Sequence, residues 1–480
     1  MKTASKIAVI TWGLMCAASA WAQPTLFSTL GADRMPSKAA VETQEIAIQS
    51  GALQADTAQI AVDLFDGKRH VLTRHSVIDR GEGNMFWQGH FADGGEAVLT
   101  VHKGVVVGLL YGPDGLYEIG TAEHGGQILS RIHQEAFPGC ATEEHAADQG
   151  PRPRFGVDLS AAPAAVDTKA VNMVDIMTVW TPQARNGAGG TTQIEATIQS
   201  AVDISNTAFN NSNASVQFHL VHMQEISYND SGDIQADRNW LRDDPTVNAL
   251  RDQYGADLVG MIVENSIYCG IAFLMGNEDP AAFAPNGYQV TVRQCAVGNL
   301  SFAHEHGHNM GLQHNPENGA SQNQATYPWS YGHYVNGSYR TVMSYSNPCS
   351  QGCTRQPYFS NPNVVYQGAP TGIAEQRHNQ RTLDLISPFT VEYRPSGGTG
   401  QPPYALSTAG EKRRGRVEVT LTWTGASTSN VDIYRNGGLI TTTANDGNYL
   451  DATGERRGTF TYQVCDAGTS TCSNTSTESF

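Results

Sequence analysis

The feature that most constrains this chain is a set of histidines spaced for one face of a helix and the turn that ends it. His304 and His308 are four residues apart, and His314 follows after Gly311. Residues four apart on an α-helix share a face, with Cβ atoms ~5–6 Å apart, so two imidazoles can be directed at one point. Glycine adopts the left-handed conformation that ends a helix, which can return His314 to that point. The spacing predicts three imidazoles around one metal ion.

Glu305 makes this set suitable for zinc-dependent hydrolysis. His-Glu-x-x-His on a helix supplies two zinc ligands and a general base, and a catalytic zinc has three protein ligands and one open position. Zinc would lower the pKa of water toward neutrality, and Glu305 would move a proton from that water to the leaving amine. His306 should face elsewhere and is assigned no metal role. A purely structural zinc is the alternative, but such sites favour four ligands rich in cysteine.

The string HExxHxxGxxH, residues 304–314, resembles the signature of the metzincin zinc endopeptidases. That clan has a methionine-containing turn beneath the metal, and YRTVMSYS at 339–346 offers Met343 for it. VDIMTVWTPQAR, RTVMSY and FSNPNVVYQGAPTG are similar to secreted bacterial peptidyl-Asp metalloendopeptidases, and FWQGHFADGGEAVLTVHKGVVVGLLYG resembles a reprolysin-type prosegment. The resemblance covers roughly residues 170–394. It implies an α/β (α+β) catalytic domain with a mixed sheet, a bound Zn²⁺, and protein or peptide substrates.

Tyr345 follows two residues after Met343. A tyrosine at the corresponding place contacts zinc or the developing oxyanion in astacins and serralysins, so the resemblance implies a catalytic role, with an ordinary packed tyrosine as the alternative. Met343 is predicted to be a structural support, because a thioether is a poor zinc ligand. Two positions depart from the family pattern. Asn315 stands where relatives usually have Asp, and His306 where an aliphatic residue is common.

The N-terminus predicts export. Two lysines precede an apolar stretch over residues 7–20, and small residues follow, so residues 1–22 are predicted to be a signal peptide. A lipid anchor on Cys16 is the alternative, which Met15 disfavours because lipoprotein signals usually keep a small residue there. No later stretch reaches ~18 uninterrupted apolar residues, so no membrane span is predicted. The chain is therefore expected to be secreted.

Export leads to an oxidising compartment, where cysteines pair. Seven cysteines remain after the signal peptide, and six are predicted to pair by proximity, as Cys269–Cys295, Cys349–Cys353 and Cys465–Cys472. Cys140 is left over. Because matrix metalloproteases and reprolysins stay latent through a prosegment cysteine, the resemblance implies that Cys140 is a fourth zinc ligand in the precursor. An unpaired bystander thiol is the alternative.

Shifts in composition divide the chain into five parts. After the signal peptide, residues 23–168 are predicted to be a β-rich prosegment ending in a connector rich in Pro, Ala and basic residues. Residues 169–394 alternate apolar strands with helical periodicity, as a mixed α/β catalytic domain does. Residues 395–403 read as a flexible linker. Residues 404–480 are predicted to be a β-sandwich, and Trp423 with TFTYQVCDA resembles fibronectin type III modules.

Together these features predict an exported zinc metalloendopeptidase made as a zymogen. The peptidyl-Asp resemblance implies cleavage on the amino side of Asp, which needs a cationic pocket; Arg293, Arg340 and Arg355 are candidates. The alternatives are a broad-specificity reprolysin-like protease and an adhesin or binding protein with a vestigial zinc domain. Calcium is a second candidate cation, although residues 228–237 lack a recognisable ligand pattern. The net charge of −16 disfavours nucleic acid, and no oligomeric state is predicted.

Overall fold

The computed structural model describes residues 23–32, 39–49, 51–142, 171–395 and 405–480, the last with gaps at 425, 427, 429, 468–472 and 474. The predicted signal peptide, the connector after residue 142 and nearly all of the predicted linker lie outside the described residues. No helix in the described ranges is both long and apolar enough to span a membrane.

The described residues between 27 and 132 form one antiparallel sheet of nine strands. The strands are β1 (Phe27–Ala32), β2 (Ala40–Ile48), β3 (Gln59–Asp63), β4 (Arg69–Asp79), β5 (Met85–Phe91), β6 (Glu96–His102), β7 (Val105–Gly112), β8 (Gly115–Thr121) and β9 (Gln127–Ile132). Their spatial order is β1-β2-β9-β8-β7-β6-β5-β4-β3. A backbone hydrogen bond of 2.8 Å from Leu26 to the carbonyl of Ala61 joins the two edges, so the sheet curls on itself.

Side chains of the nine-stranded sheet alternate between two cores. In β6, Leu99 lies in a core made by N-terminal residues alone, whereas Val98 lies in the core of the central unit. Val106 and Val107 of β7 divide in the same way. Because successive residues of a strand point to opposite faces, strands buried on both faces read as continuous hydrophobic runs. One face of the sheet is therefore docked on the central unit.

Within residues 171–395, seven α-helices surround a five-stranded mixed sheet. The helices are α1 (Pro182–Ala188), α2 (Thr191–Asn211), α3 (Ile234–Asp243), α4 (Pro245–Tyr254), α5 (Arg293–Ala296), α6 (Ser301–Asn309) and α7 (Asn379–Thr390). The strands are β10 (Asn172–Trp180), β11 (Val216–Glu225), β12 (Leu258–Val263), β13 (Gly270–Ala272) and β14 (Tyr288–Val292), in the order β11-β10-β12-β14-β13. All neighbours are parallel except β13, which is antiparallel to β14 at the edge. The predicted combination of a mixed sheet with helices is confirmed.

The rest of the central unit contains five two-residue strands: β15 (Tyr334–Val335), β16 (Tyr339–Arg340), β17 (Thr354–Arg355), β18 (Val365–Tyr366) and β19 (Ala369–Pro370). The β16–β17 pair is parallel and places Arg340 directly opposite Arg355. Two predicted disulfides are formed, Cys269–Cys295 with an S–S distance of 1.98 Å and Cys349–Cys353 with 1.99 Å. The second closes the loop between β16 and β17. Cys472, of the predicted third pair, lies outside the described residues.

The described C-terminal residues form two antiparallel sheets. The strands are β20 (Ala405–Arg413), β21 (Arg416–Thr424), β22 (Asn430–Arg435), β23 (Gly438–Ala444), β24 (Asn448–Ala452), β25 (Thr459–Asp466) and β26 (Ser476–Ser479). One sheet has the order β20-β21-β24 and the other β23-β22-β25-β26. Trp423 and Leu421 of the first sheet share one core with Val431 and Tyr462 of the second.

Candidate metal centre

Helix α6 carries the first two histidines of the motif, and the turn after it brings in the third. Every residue of α6 is buried. Gly311, two residues beyond the helix, has φ +81°, a conformation that glycine adopts without steric cost. A Cβ there would also lie 2.6 Å from Thr326 Oγ1. Both the backbone and the packing therefore favour glycine at this turn.

The Nε2 atoms of His304, His308 and His314 form a triangle with sides of 3.0, 3.0 and 3.2 Å. The Nδ1 atom of each ring lies 2.8–3.2 Å from a backbone carbonyl oxygen. These acceptors are the carbonyls of Val342, Leu312 and Asn318. A carbonyl only accepts, so each Nδ1 carries the proton and each Nε2 presents a lone pair. Three lone pairs thus face one another, an arrangement that a cation stabilises.

The size of this triangle fits zinc. Nitrogens ~2.0–2.1 Å from one tetrahedral zinc ion are roughly 3.3 Å apart. Burial lowers the pKa of His308 to about 4 and those of His304 and His314 well below their usual range. The imidazoles are therefore neutral near pH 7, which is the form that binds a metal. Hydrogen bonds from Nδ1 to carbonyls are also typical of metal-binding histidines.

Cys140 completes a group of four candidate ligands. Its sulfur and the three histidine nitrogens all lie within 4.8 Å of one another, and the sulfur is 3.7 Å from Nε2 of His308. The residue is partly exposed, but its sulfur lies within the buried cluster. Among the residues that the structure describes, this is the one group of three or more such side chains that could hold a metal. A calcium site therefore gains no support.

A segment of the N-terminal unit, residues 139–142, places Cys140 at the cluster by running along the edge strand β13. The Cys269 N–H donates to the carbonyl of Gly139 at 2.9 Å, and the Ala141 N–H donates to the carbonyl of Gly270 at 2.9 Å. The pairing of Cys140 with Gly270 is parallel. This segment thus extends the central sheet by strand addition, as peptide ligands do at exposed sheet edges.

Glu305 lies beside the cluster and is fully buried. Its Oε2 atom accepts hydrogen bonds from the Cys140 thiol and the Thr142 hydroxyl, both at 3.2 Å, while Oε1 has no partner in the described part of the chain. Burial raises the pKa of Glu305 to about 8. A Cβ on Gly270 would be 2.5 Å from Oε1, so that glycine leaves space for the carboxylate. An unpartnered buried oxygen costs stability and fits a group that exchanges a proton with an incoming molecule.

The turn that follows β16 supports the cluster from below. Met343 is fully buried, and a Cβ on Gly307 would be 2.7 Å from its sulfur, so α6 packs closely on it. The ring of Tyr345 lies 4.2 Å from that of His314. Asn315 accepts a hydrogen bond of 2.9 Å from the Tyr345 N–H. Asn315, to which the sequence gave no role, therefore ties this turn to the end of the motif.

His306 lies apart from the cluster and belongs to the core. Its ring packs edge-on against Phe218 and Phe302, with centroids 5.3 and 4.7 Å away. The Gln289 amide lies 3.3 Å from its Nε2 and can donate to it. Burial lowers the pKa of His306 to about 3, so it is a neutral packing residue. This accounts for the histidine at a position where relatives commonly have an aliphatic side chain.

Of the three candidate arginines, two reach the site. Arg340 and Arg355 line a cavity of 230 Å³ together with His304 and Glu305. Arg293 lies elsewhere, in an ion pair of 2.6 Å with a second glutamate on the strand-to-loop boundary after β12. Spacing along the chain could not separate these three residues, because the choice depends on the path of the loop between β16 and β17.

A buried set of three histidines and a glutamate, on a helix packed against a mixed sheet, defines a metal-dependent peptidase. The reprolysin-like M12B metallopeptidase family matches residues 195–315. The peptidyl-Asp metalloendopeptidase of Xanthomonas campestris pv. campestris is 30% identical over 393 residues, which cover 76% of this chain and 88% of that protein. The one from Stenotrophomonas maltophilia strain R551-3 is 29% identical over 397 residues, with the same coverage. The one from Pseudomonas aeruginosa is 34% identical over 262 residues, 50% of this chain and 43% of that protein.

The chain therefore belongs to the peptidyl-Asp metalloendopeptidase family, and it is a zinc metalloendopeptidase that acts on peptide substrates. The predicted family resemblance and enzyme class are confirmed.

Proposed function

We propose that this chain is a secreted zinc endopeptidase, made as a zymogen, that cleaves on the amino side of Asp residues. The convergence of three histidine lone pairs beside the unpartnered oxygen of Glu305 carries the catalytic part. The names of the relatives motivate the preference for Asp. Residues 1–22 would be the signal peptide, 23–168 the prosegment, 169–394 the catalytic domain, 395–403 the linker and 404–480 a fibronectin-III-like accessory domain.

His304, His308 and His314 would hold the zinc ion, which when bound acts as a Lewis acid and lowers the pKa of water. Glu305 takes a proton from the attacking water and delivers it to the leaving amine. Tyr345 donates a hydrogen bond to the substrate carbonyl as negative charge develops there. In support, its hydroxyl now donates to the backbone carbonyl of Cys140 at 2.9 Å.

Cys140 and Thr142 keep the precursor inactive in this proposal. The thiol lies among the candidate zinc ligands, and both side chains hydrogen-bond to the oxygen of Glu305 that the base would use. The segment that carries them pairs with β13, an edge to which an extended substrate could also pair. Latency would thus act on the metal, the base and the substrate cleft together, until cleavage in the connector releases the N-terminal unit.

The preference for Asp is tested by profiling the full chain, activated by limited proteolysis in the connector, on a mixed peptide library. We expect cleavage products that begin with Asp, identified by mass spectrometry. Cleavage mainly before apolar residues would instead favour the broad-specificity alternative. A chain that binds peptides without cutting any of them would favour the adhesin alternative.

Docking of the nine-stranded sheet on the central unit should weaken as pH rises, because of Glu118 in β8. Its carboxylate lies against Gly298 of the central unit, and burial raises its pKa to about 8, although Arg293 opposes this. A carboxyl whose pKa is raised stabilises the docked state fully below its ordinary pKa near 4.5, and this contribution is lost as pH rises through 8. We expect release of the N-terminal unit, followed by gel filtration of the nicked chain, to accelerate between pH 5 and pH 9.

Glu118→Gln should flatten this pH dependence, since the amide does not titrate. Glu123→Gln is the matched control, because Glu123 is exposed on the same sheet. If Glu118→Gln and the parent chain release the N-terminal unit with the same pH profile, Glu118 does not control the docking.

A further inference from the structure

Two arginines face each other beside the candidate metal centre. Arg340 and Arg355 are directly opposite in the β16–β17 pair and are only 3% and 4% exposed. Both line the 230 Å³ cavity that also contacts His304 and Glu305. The disulfide between Cys349 and Cys353 fixes the loop that joins the two strands. The position of this pair relative to the metal centre is therefore set by the covalent and sheet structure.

Neutral groups alone hold these guanidinium groups. Arg340 donates to the carbonyls of Cys353 at 3.3 Å and Ser344 at 2.8 Å. Arg355 donates to the carbonyls of Asn299 at 2.6 Å and Ser344 at 3.2 Å, and its Nε has no partner. Across the described ranges, neither guanidinium lies within ion-pair distance of a carboxylate. Two positive charges are thus buried side by side without a counter-ion.

This arrangement is costly unless an anion joins it. Buried charges lose hydration, and a like charge nearby adds repulsion. Burial lowers the pKa of Arg355 to about 10, and burial together with Arg355 lowers that of Arg340 well below its usual range. Planar guanidinium groups bind carboxylates through two parallel hydrogen bonds. A carboxylate entering this cavity would therefore neutralise charge and use the free N–H group.

We propose that Arg355 and Arg340 form the specificity pocket that binds the acidic side chain of the substrate residue next to the scissile bond. This assignment rests on the proposed function, because it names the residues that would produce the preference for Asp. The cavity shares His304 and Glu305 with the reaction centre, so a side chain bound there belongs to a residue beside the bond that is cut.

The precursor places an uncharged amide at this pocket. Gln134, which is buried, accepts a hydrogen bond of 2.5 Å from the Arg355 backbone N–H and donates one of 2.9 Å to the carbonyl of Gly298. Glutamine is a neutral analogue of an acidic side chain, so it fills the pocket wall without neutralising the arginines. The pocket charge remains available for a substrate carboxylate after the N-terminal unit leaves.

The test is a competition between two peptides that differ only by Asp or Asn at the residue after the scissile bond. Both peptides are mixed with the activated full chain, and the ratio of their kcat/KM values is read from product masses. This ratio does not depend on how much of a variant is folded. We expect a preference for Asp of about 10²-fold or more, because a site built around a charged group strongly rejects its neutral analogue. Arg355→Gln should reduce it below about tenfold.

Arg355→Lys should keep an intermediate preference, since it retains the charge but not the planar fork. Arg381→Gln, which removes a surface arginine paired with exposed Glu375, should keep the full preference. An unchanged ratio in Arg355→Gln would overturn the assignment while leaving the peptidase activity intact.

A binding measurement separates failure of the pocket from failure of the proposed function. In the Glu305→Gln background, fluorescence anisotropy should show tighter binding of a labelled Asp peptide than of the Asn peptide, with the difference lost in Arg355→Gln. That result supports the pocket even if no peptide is cleaved. Equal binding of the two peptides by the parent background would count against it.

Discussion

Replacing Glu305 with Gln should lower kcat/KM for peptide cleavage by about 10³-fold or more, because the amide cannot accept the proton of the attacking water. The side chain keeps its length and its place between α6 and Gly270, so the fold should be retained. The measurement compares initial rates of the activated parent and variant chains on one peptide, with zinc content determined on the same samples. Zinc content should be unchanged, since the three histidines are intact.

The matched control is Gln199→Glu or Glu195→Gln on α2, a helix that carries none of the motif residues. Either substitution should leave the rate within a few-fold of the parent. Cleavage by Glu305→Gln at the parent rate would refute the role of Glu305, and loss of zinc from that variant would show that the carboxylate acts on metal binding instead.

Replacing Cys140 with Ser should raise the activity of the uncleaved precursor by at least about tenfold, because the hydroxyl is a much weaker zinc ligand than a thiolate. The segment 139–142 would still pair with β13 through its backbone. Full activity should therefore still require removal of the N-terminal unit. Activity is measured on precursor whose intact length is verified by mass spectrometry before and after the assay.

Thr142→Val is the matched variant for this experiment, since it removes the other side-chain hydrogen bond to Glu305 while keeping the thiol and the side-chain shape. It should remain latent if the thiol dominates. A Cys140→Ser precursor as inactive as the parent would contradict the thiol switch and leave the paired backbone as the cause of latency.

Elements with a long, regular pattern could be predicted from the sequence, and short or edge elements could not. The strands around Val98 and Val107 and the helix over 191–211 follow clear periodicities. The strand β13 could not be found, because Gly270–Ala272 is too short for a pattern and begins with glycine. Its place at the sheet edge follows from pairing with β14, which is a tertiary contact. In the C-terminal region, β20 was missed because its charged residues alternate with small ones.

The site divides along the same line. His304, Glu305 and His308 are local in sequence, so helix geometry alone brings them together. The contacts of Thr142 with Glu305 and of Gln134 with Arg355 join residues more than 160 positions apart. No spacing rule relates such residues, since their meeting depends on how the nine-stranded sheet docks.

The docking of that sheet also determines what happens after the connector is cut. Asp203 on α2 is 2% exposed and is paired with Arg80 of the N-terminal unit, beneath strands whose apolar side chains share the central core. A severed N-terminal unit retains this complementary surface and can reassociate by mass action. Lasting activity thus depends on dilution or degradation of the released fragment, so the volume into which the enzyme is delivered becomes part of its control.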